Sequence, residues 1–132
     1  MEYATEYTAQ FGDFKPEDLI GKQVLFVFGF TYSGQYSRKI APIVSVTKTA
    51  FKIKGEEGRL FNINTGYQKG LDRKLDRGVH ASCVLLTDEE ATQLSNQWKN
   101  EREIKQLRQE VKNLIDTLSR EQLQQIKAII QL

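Results

Sequence analysis

Apolar residues follow two different rhythms along this chain, and the rhythm changes near residue 87. Before it they come in short runs and alternations. Val24-Leu25-Phe26-Val27-Phe28-Gly29-Phe30 is a continuous apolar run bounded by Gly21 and by a loop over 31–36. Its length and its β-branched and aromatic content predict a buried strand rather than a helix. Residues 40–47 and 50–54 alternate apolar with polar instead: Ile43, Val46, then Phe51 and Ile53 with Lys52 and Lys54 between. That period of two belongs to a half-exposed sheet. Pro42 falls early in its strand, where a missing donor is tolerated at an edge. Gly55-Glu56-Glu57-Gly58 reads as a turn, 59–64 as the return strand, 67–79 as a polar loop flanked or interrupted by Gly66, Gly70 and Gly78, and 80–86 as the last strand. The expectation is an α+β fold: a small antiparallel β-barrel, or a strongly bent five-stranded sheet, over 21–86, followed by two C-terminal helices.

Beyond residue 87 the spacing becomes helical. Thr87-Asp88-Glu89-Glu90 and Ser119-Arg120-Glu121-Gln122 are both capping boxes, so helices are predicted to start near 88 and 120. In the first, Ile104, Leu107, Val111, Leu114 and Leu118 keep heptad spacing, whereas Leu94 and Trp98 precede them in another phase. The early part is therefore expected to touch the barrel and the later part another surface. In the second, Leu123, Ile126, Ile129 and Ile130 form an apolar face. Residues 87–132 are expected to form a helical hairpin that packs on the barrel or drives self-association through 104–130. At the other end, residues 1–20 read as an arm with scattered rings (Tyr3, Tyr7, Phe11, Phe14) and one helical turn over 15–21, opened by Pro16 and closed by Gly21.

Charge sharpens this division. Residues 21–86 hold eleven Lys or Arg against four Asp or Glu, a net +7, while 1–20 carry −4 and 87–132 carry −1, so the total of +2 conceals a basic module between two acidic flanks. Such a module attracts anions. No run of 18 apolar residues is present, so no membrane contact is expected, and the acidic start lacks the profile of a secretory signal. The single cysteine, Cys83, has no partner for an internal disulfide, and one histidine with one cysteine cannot build a zinc site. A cytoplasmic protein with no metal and no cofactor is the expectation.

Catalytic chemistry is sparse. His80 is read as a strand histidine making an ordinary hydrogen bond, and Cys83 as a small buried residue on the opposite face of the same strand. Glu56, Glu57, Asp72 and Asp76 read as solvated turn and loop acids. No phosphate-cradling glycine motif occurs. Binding chemistry is richer. Around a glycine loop at Gly34, the rings of Tyr32 and Tyr36 can stack on a base while Arg38 and Lys39 hold a phosphate. A second stretch offers Asn62, Asn64, Tyr67, Lys69, Lys74 and the guanidinium groups of Arg73 and Arg77. Together they point to an anionic ligand that bears rings, a nucleotide or nucleic acid.

The Tyr-Ser-Gly-x-Tyr loop, Lys48 to Lys52, Arg59-Leu60-Phe61-Asn62-Ile63-Asn64-Thr65-Gly66, Leu85-Leu86-Thr87-Asp88-Glu89-Glu90-Ala91 and the closing 118–130 stretch resemble a group of small uncharacterised bacteriophage proteins, over about residues 22–132. That group brings no established activity. The barrel-plus-helices layout is also similar in architecture to phage anti-defence proteins that sequester cyclic nucleotide or ADP-ribose immune signals. The resemblance implies a non-enzymatic sponge for a small nucleotide signal. A nucleic-acid-binding barrel is the next expectation, and an inhibitor or scaffold that docks its helices on a host protein is the third.

Overall fold

The computed structural model describes residues 9–71 and 77–131. The chain divides into two compact units, Met1–Ser95 and Asn96–Leu132. In the first, five strands form one antiparallel sheet: β1 (Gln23–Phe30), β2 (Gln35–Val46), β3 (Ala50–Ile53), β4 (Phe61–Asn62) and β5 (Val79–Leu86), in the order β4-β3-β2-β1-β5. Residues 66–69 span the remaining gap between β5 and β4. The Gln68 N–H donates to the Ala81 carbonyl and the Cys83 N–H to that of Gly66, while the Asn62 N–H donates to Tyr67 and the Lys69 N–H to Leu60. The sheet thereby comes close to closing on itself, as the sequence predicts. Gly66 permits the approach: its φ is 78°, and a β-carbon there would run into the Cys83 carbonyl oxygen.

Two strand boundaries differ from expectation, each for a local reason. β2 begins at Gln35 rather than near Ile40, because the hairpin is a tight turn in which the N–H groups of Ser33 and Gly34 both donate to the Phe30 carbonyl. Its first residues are polar and mostly exposed, so no apolar alternation marks them. β4 is only two residues long, because the Asn62 side-chain oxygen accepts from the N–H groups of Asn64 and Thr65 and turns the chain. A register shift between Ile43 and Ser45 leaves Val44 exposed on β2, as a bulge does.

Side-chain alternation sorts the sheet into an inner and an outer face. Val24 and Phe26 of β1, Ala41 and Ile43 of β2, Phe51 and Ile53 of β3, Phe61 of β4 and Ala81, Cys83 and Leu85 of β5 point inward and form one core with Phe11, Leu19 and Ile63. Rings run through it in contact: Phe11 to Phe51 at 5.1 Å between centroids, Phe51 to Phe61 at 5.5 Å, Phe61 to Phe26 at 5.4 Å and Phe26 to Phe28 at 6.3 Å. Such contacts add about 0.5–1.5 kcal/mol each beyond area burial. The end of the arm contributes directly. Phe11 lies in a short 3₁₀ turn (Phe11–Asp13), and a second turn (Pro16–Leu19) buries Leu19 completely. The Gly21 N–H then donates to the Ile43 carbonyl, tying the arm to β2.

Helix α1 (Asp88–Ile115) starts directly after β5, and α2 (Arg120–Ile130) follows a short break. Both begin at the sequence-predicted boxes. The Thr87 hydroxyl accepts from the Glu90 N–H at 3.1 Å while Glu90 accepts from the Thr87 N–H at 2.9 Å. Ser119 and Gln122 repeat the exchange. Within the second unit α2 does not lie along α1. The heptad stripe of α1 stands in solvent, with Leu107 58% and Leu114 63% exposed, and Ile129 and Ile130 of α2 are likewise exposed. No helix among the described residues is long and apolar enough to cross a membrane.

Candidate functional site

The outer face of β2, β1 and β5 gathers three rings. Pairing across the strands sets Tyr36, Gly29 and His80 in one row, and Arg38, Val27 and Ser82 in the next. Tyr67, paired with Ser82 by an isolated bridge, extends that second row. Gly29 is what lets the first row close up. A β-carbon there would strike the Gln35 carbonyl and the Tyr36 ring, so the tyrosine lies over the bare backbone. His80 meets Tyr36 edge to face at 5.6 Å between centroids and Tyr67 edge to face at 5.8 Å. Tyr67 is 57% exposed. Burial holds the His80 imidazole below its usual pKa, so at neutral pH it serves this face as an uncharged ring rather than as a cation. Arg38 is the exposed cation on the face, two residues along from Tyr36.

Lys39 takes the other side of β2. Paired with Phe26, it points to the inner face, where its Nζ lies 3.1 Å from Glu56. The other Glu56 oxygen accepts from Arg59 Nε at 3.1 Å, and Arg59 Nη1 donates to Gln68 at 2.7 Å. The Arg59 guanidinium lies 4.6 Å from the centre of the Phe28 ring. Burial pushes the Glu56 carboxyl up, but hydrogen bonds from Lys39 and Arg59, with their charges, outweigh it and hold the carboxyl below its usual range. This cluster sets two cations around one carboxylate, with the Arg59 guanidinium over the Phe28 ring. Arg38 and Lys39, adjacent in sequence, thus serve opposite faces and do not converge on one phosphate.

The other sequence-predicted residues are dispersed. Tyr32 is 78% exposed in the hairpin turn, packed on Phe30 at 5.8 Å and lying over Gly78. The Asn62 side chain is committed to its own turn, where Asn64 donates its N–H. Lys69 donates from Nζ to the Thr49 hydroxyl at 3.3 Å. Arg77 is exposed beside Gly78. Arg73, with Lys74, Asp72 and Asp76, lies outside the described residues. Of the expected set, then, Tyr36, Arg38 and Tyr67 share one face. The sequence reading missed His80 as the ring that joins the two tyrosines, and Ser82 beside it. The signal was present in the His80-Ala81-Ser82 spacing, which puts both on one side of a strand, and in Gly29 opposite His80.

His80 Nε2 and Ser82 Oγ share a hydrogen bond at 2.8 Å. A base beside a hydroxyl is the start of nucleophilic catalysis; here Ser82 is only 7% exposed, and the contact orients the imidazole. Cys83 is buried on the inner face, where burial pushes its thiol pKa far up, and it takes no part with His80. Among the described residues no group of His, Cys, Asp and Glu is arranged to hold a metal. A recess of about 170 Å³ lined by Ala9, Phe14, Lys22, Leu85, Leu86, Thr87 and Asp88 contains none of the three rings. Among the described residues the ring face offers stacking area, the Arg38 cation and the sheet beneath them. No family model, curated protein or solved structure matches the chain, so the reading of the site rests on this geometry.

Proposed function

We propose that this protein is a non-enzymatic binder of single-stranded nucleic acid that stacks bases on the Tyr36–His80–Tyr67 face and engages phosphate through Arg38. The observation that carries the proposal is the side-by-side placement of three rings on one outward sheet face within a module of net charge +7. Ring platforms on sheets bind single strands because every base has a face to stack, at about 1–3 kcal/mol per base, while surrounding cations follow the backbone. A small ligand needs walls that enclose most of its surface. The three rings instead lie across the sheet, so a sequestered cyclic nucleotide or ADP-ribose signal is the second reading, favoured by the placement of rings and cation together.

Fluorescence anisotropy with labelled oligo(dT) and oligo(U) at two salt concentrations tests the first reading. Binding should weaken with salt. Tyr36→Ala and Tyr67→Ala should each cost about 1–3 kcal/mol, and Arg38→Ala should lower the salt slope by about one. Lys39→Ala should leave binding nearly unchanged, since Lys39 serves the inner cluster. Incubation with cyclic nucleotides and cyclic ADP-ribose isomers, followed by denaturation and analysis of the released ligand, tests the second. Capture of intact small nucleotide without oligonucleotide binding transfers the role to the sponge, and absence of both kinds of binding overturns the ring face as a site.

A further inference from the structure

We propose that two copies of this chain pair in parallel through α1, as a short two-stranded coiled coil over residues 103–114. Four apolar side chains stand in solvent along one side of the helix: Ile104, Leu107, Val111 and Leu114, between 39% and 63% exposed. The first three line an apolar groove on α1 together with Ile115, and nothing within the second unit covers it. Their order selects the occupant. Spacings of three, four and three make Ile104 and Val111 the a positions of two heptads and Leu107 and Leu114 the d positions. β-branched residues at a with leucine at d favour two strands running in parallel, because the a side chain of each helix then packs against its own counterpart in the geometry that branching suits.

Charge selects the same arrangement. Glu103 falls at a g position, and Arg108 is the e position that a g residue meets across a parallel pair, five residues further on. Symmetry provides that contact twice. In an antiparallel pair g meets g and e meets e, which sets Glu103 and Glu110 against acids and Arg108 against Arg108. The outward b, c and f positions of these heptads (Lys105, Gln106, Gln109, Lys112, Asn113, Asp116) are all polar, so the stripe has one apolar side and no second.

Sedimentation equilibrium of the full chain over a dilution series tests the pairing. A single chain weighs 15.2 kDa, and the expected species has twice that mass. Leu107→Glu with Leu114→Glu should halve the mass while leaving the thermal transition of the sheet in place, since both positions are exposed. Glu103→Arg alone should shift dissociation to higher concentration, and adding Arg108→Glu should restore it. Leu114→Cys reports direction. Cys83 is buried, so on mild oxidation the new thiol should cross-link to its own counterpart. A single-chain mass throughout the series overturns the proposal. So does a Leu114→Cys protein that stays uncross-linked while a mixture of Ile104→Cys and Leu114→Cys proteins joins, because that outcome marks antiparallel pairing. A double-size species that persists in the Leu107→Glu, Leu114→Glu protein places the contact elsewhere and overturns it as well.

Discussion

The sheet and the second half of α1 spend similar side chains in opposite ways. In the sheet Phe51, Phe61, Ile43 and Ile53 are at most 1% exposed, and every one touches the same core. In α1 Leu107, Val111 and Leu114 are each more than half exposed. The difference lies in geometry. A bent sheet turns one face of every strand toward a common interior, so its apolar residues meet within one chain. A single helix turns its stripe outward and reaches closure only against another surface. Stability in the first region is therefore a property of the protomer, and in the second, under the proposed pairing, it would depend on concentration.

The largest test of this contrast is a truncation in the core. Phe61→Ala removes a ring in contact with both Phe26 and Phe51 and should lower unfolding free energy by about 3–5 kcal/mol in urea denaturation. Leu107→Ala, measured in dilute solution, should stay within about 0.5 kcal/mol of the parent. Gly66→Ala comes next. A positive φ and a collision with the Cys83 carbonyl oxygen should together cost more than about 1 kcal/mol, seen as a lower Tm, whereas Gly58→Ala, with open space around it, should be nearly silent.

The two capping boxes divide along the same line. Thr87→Ala and Ser119→Ala each remove a hydroxyl that accepts a helix N–H, worth about 1 kcal/mol. Thr87 follows β5 directly, so its loss should appear in the main thermal transition. Ser119 caps a helix with no buried residue, so its loss should appear as reduced helical circular dichroism with the main transition unmoved. The smallest effect concerns Glu56, whose carboxyl is held low by Lys39 and Arg59. Its contribution is fully present above the unfolded carboxyl pKa and is lost as pH falls through the lower folded value. Glu56→Gln should therefore lower Tm at neutral pH, with the gap to the parent shrinking in acid.

The strands of the core were readable because each shows its burial in the chemistry of alternate residues: Phe51 and Ile53 in, Lys52 and Lys54 out. The start of β2 was not, since Gln35 to Arg38 are polar on both sides and only the partner strand determines their conformation. The ring face was half readable for a related reason. Tyr36, Arg38 and Tyr67 could be nominated as residue types, but placing them together requires knowing that β1 lies between β2 and β5 and that residues 66–69 bridge onto Ser82. His80 looks solitary for the same reason, and Arg38 and Lys39 look like partners because no apolar alternation marks 35–39 as the strand that sends neighbours to opposite faces.

Closure by residues 66–69 has a consequence for motion. Among the described residues two backbone bonds join this segment to β5, against a ladder of eight residue pairs between β5 and β1, so the seam parts at lower cost than that ladder. Tyr67 rides on it, so an opening there would break its ring contact with His80. A bound strand of nucleic acid would latch the seam shut, and the amide protons of Gln68 and Cys83 would then exchange with solvent more slowly in the complex than in the free protein.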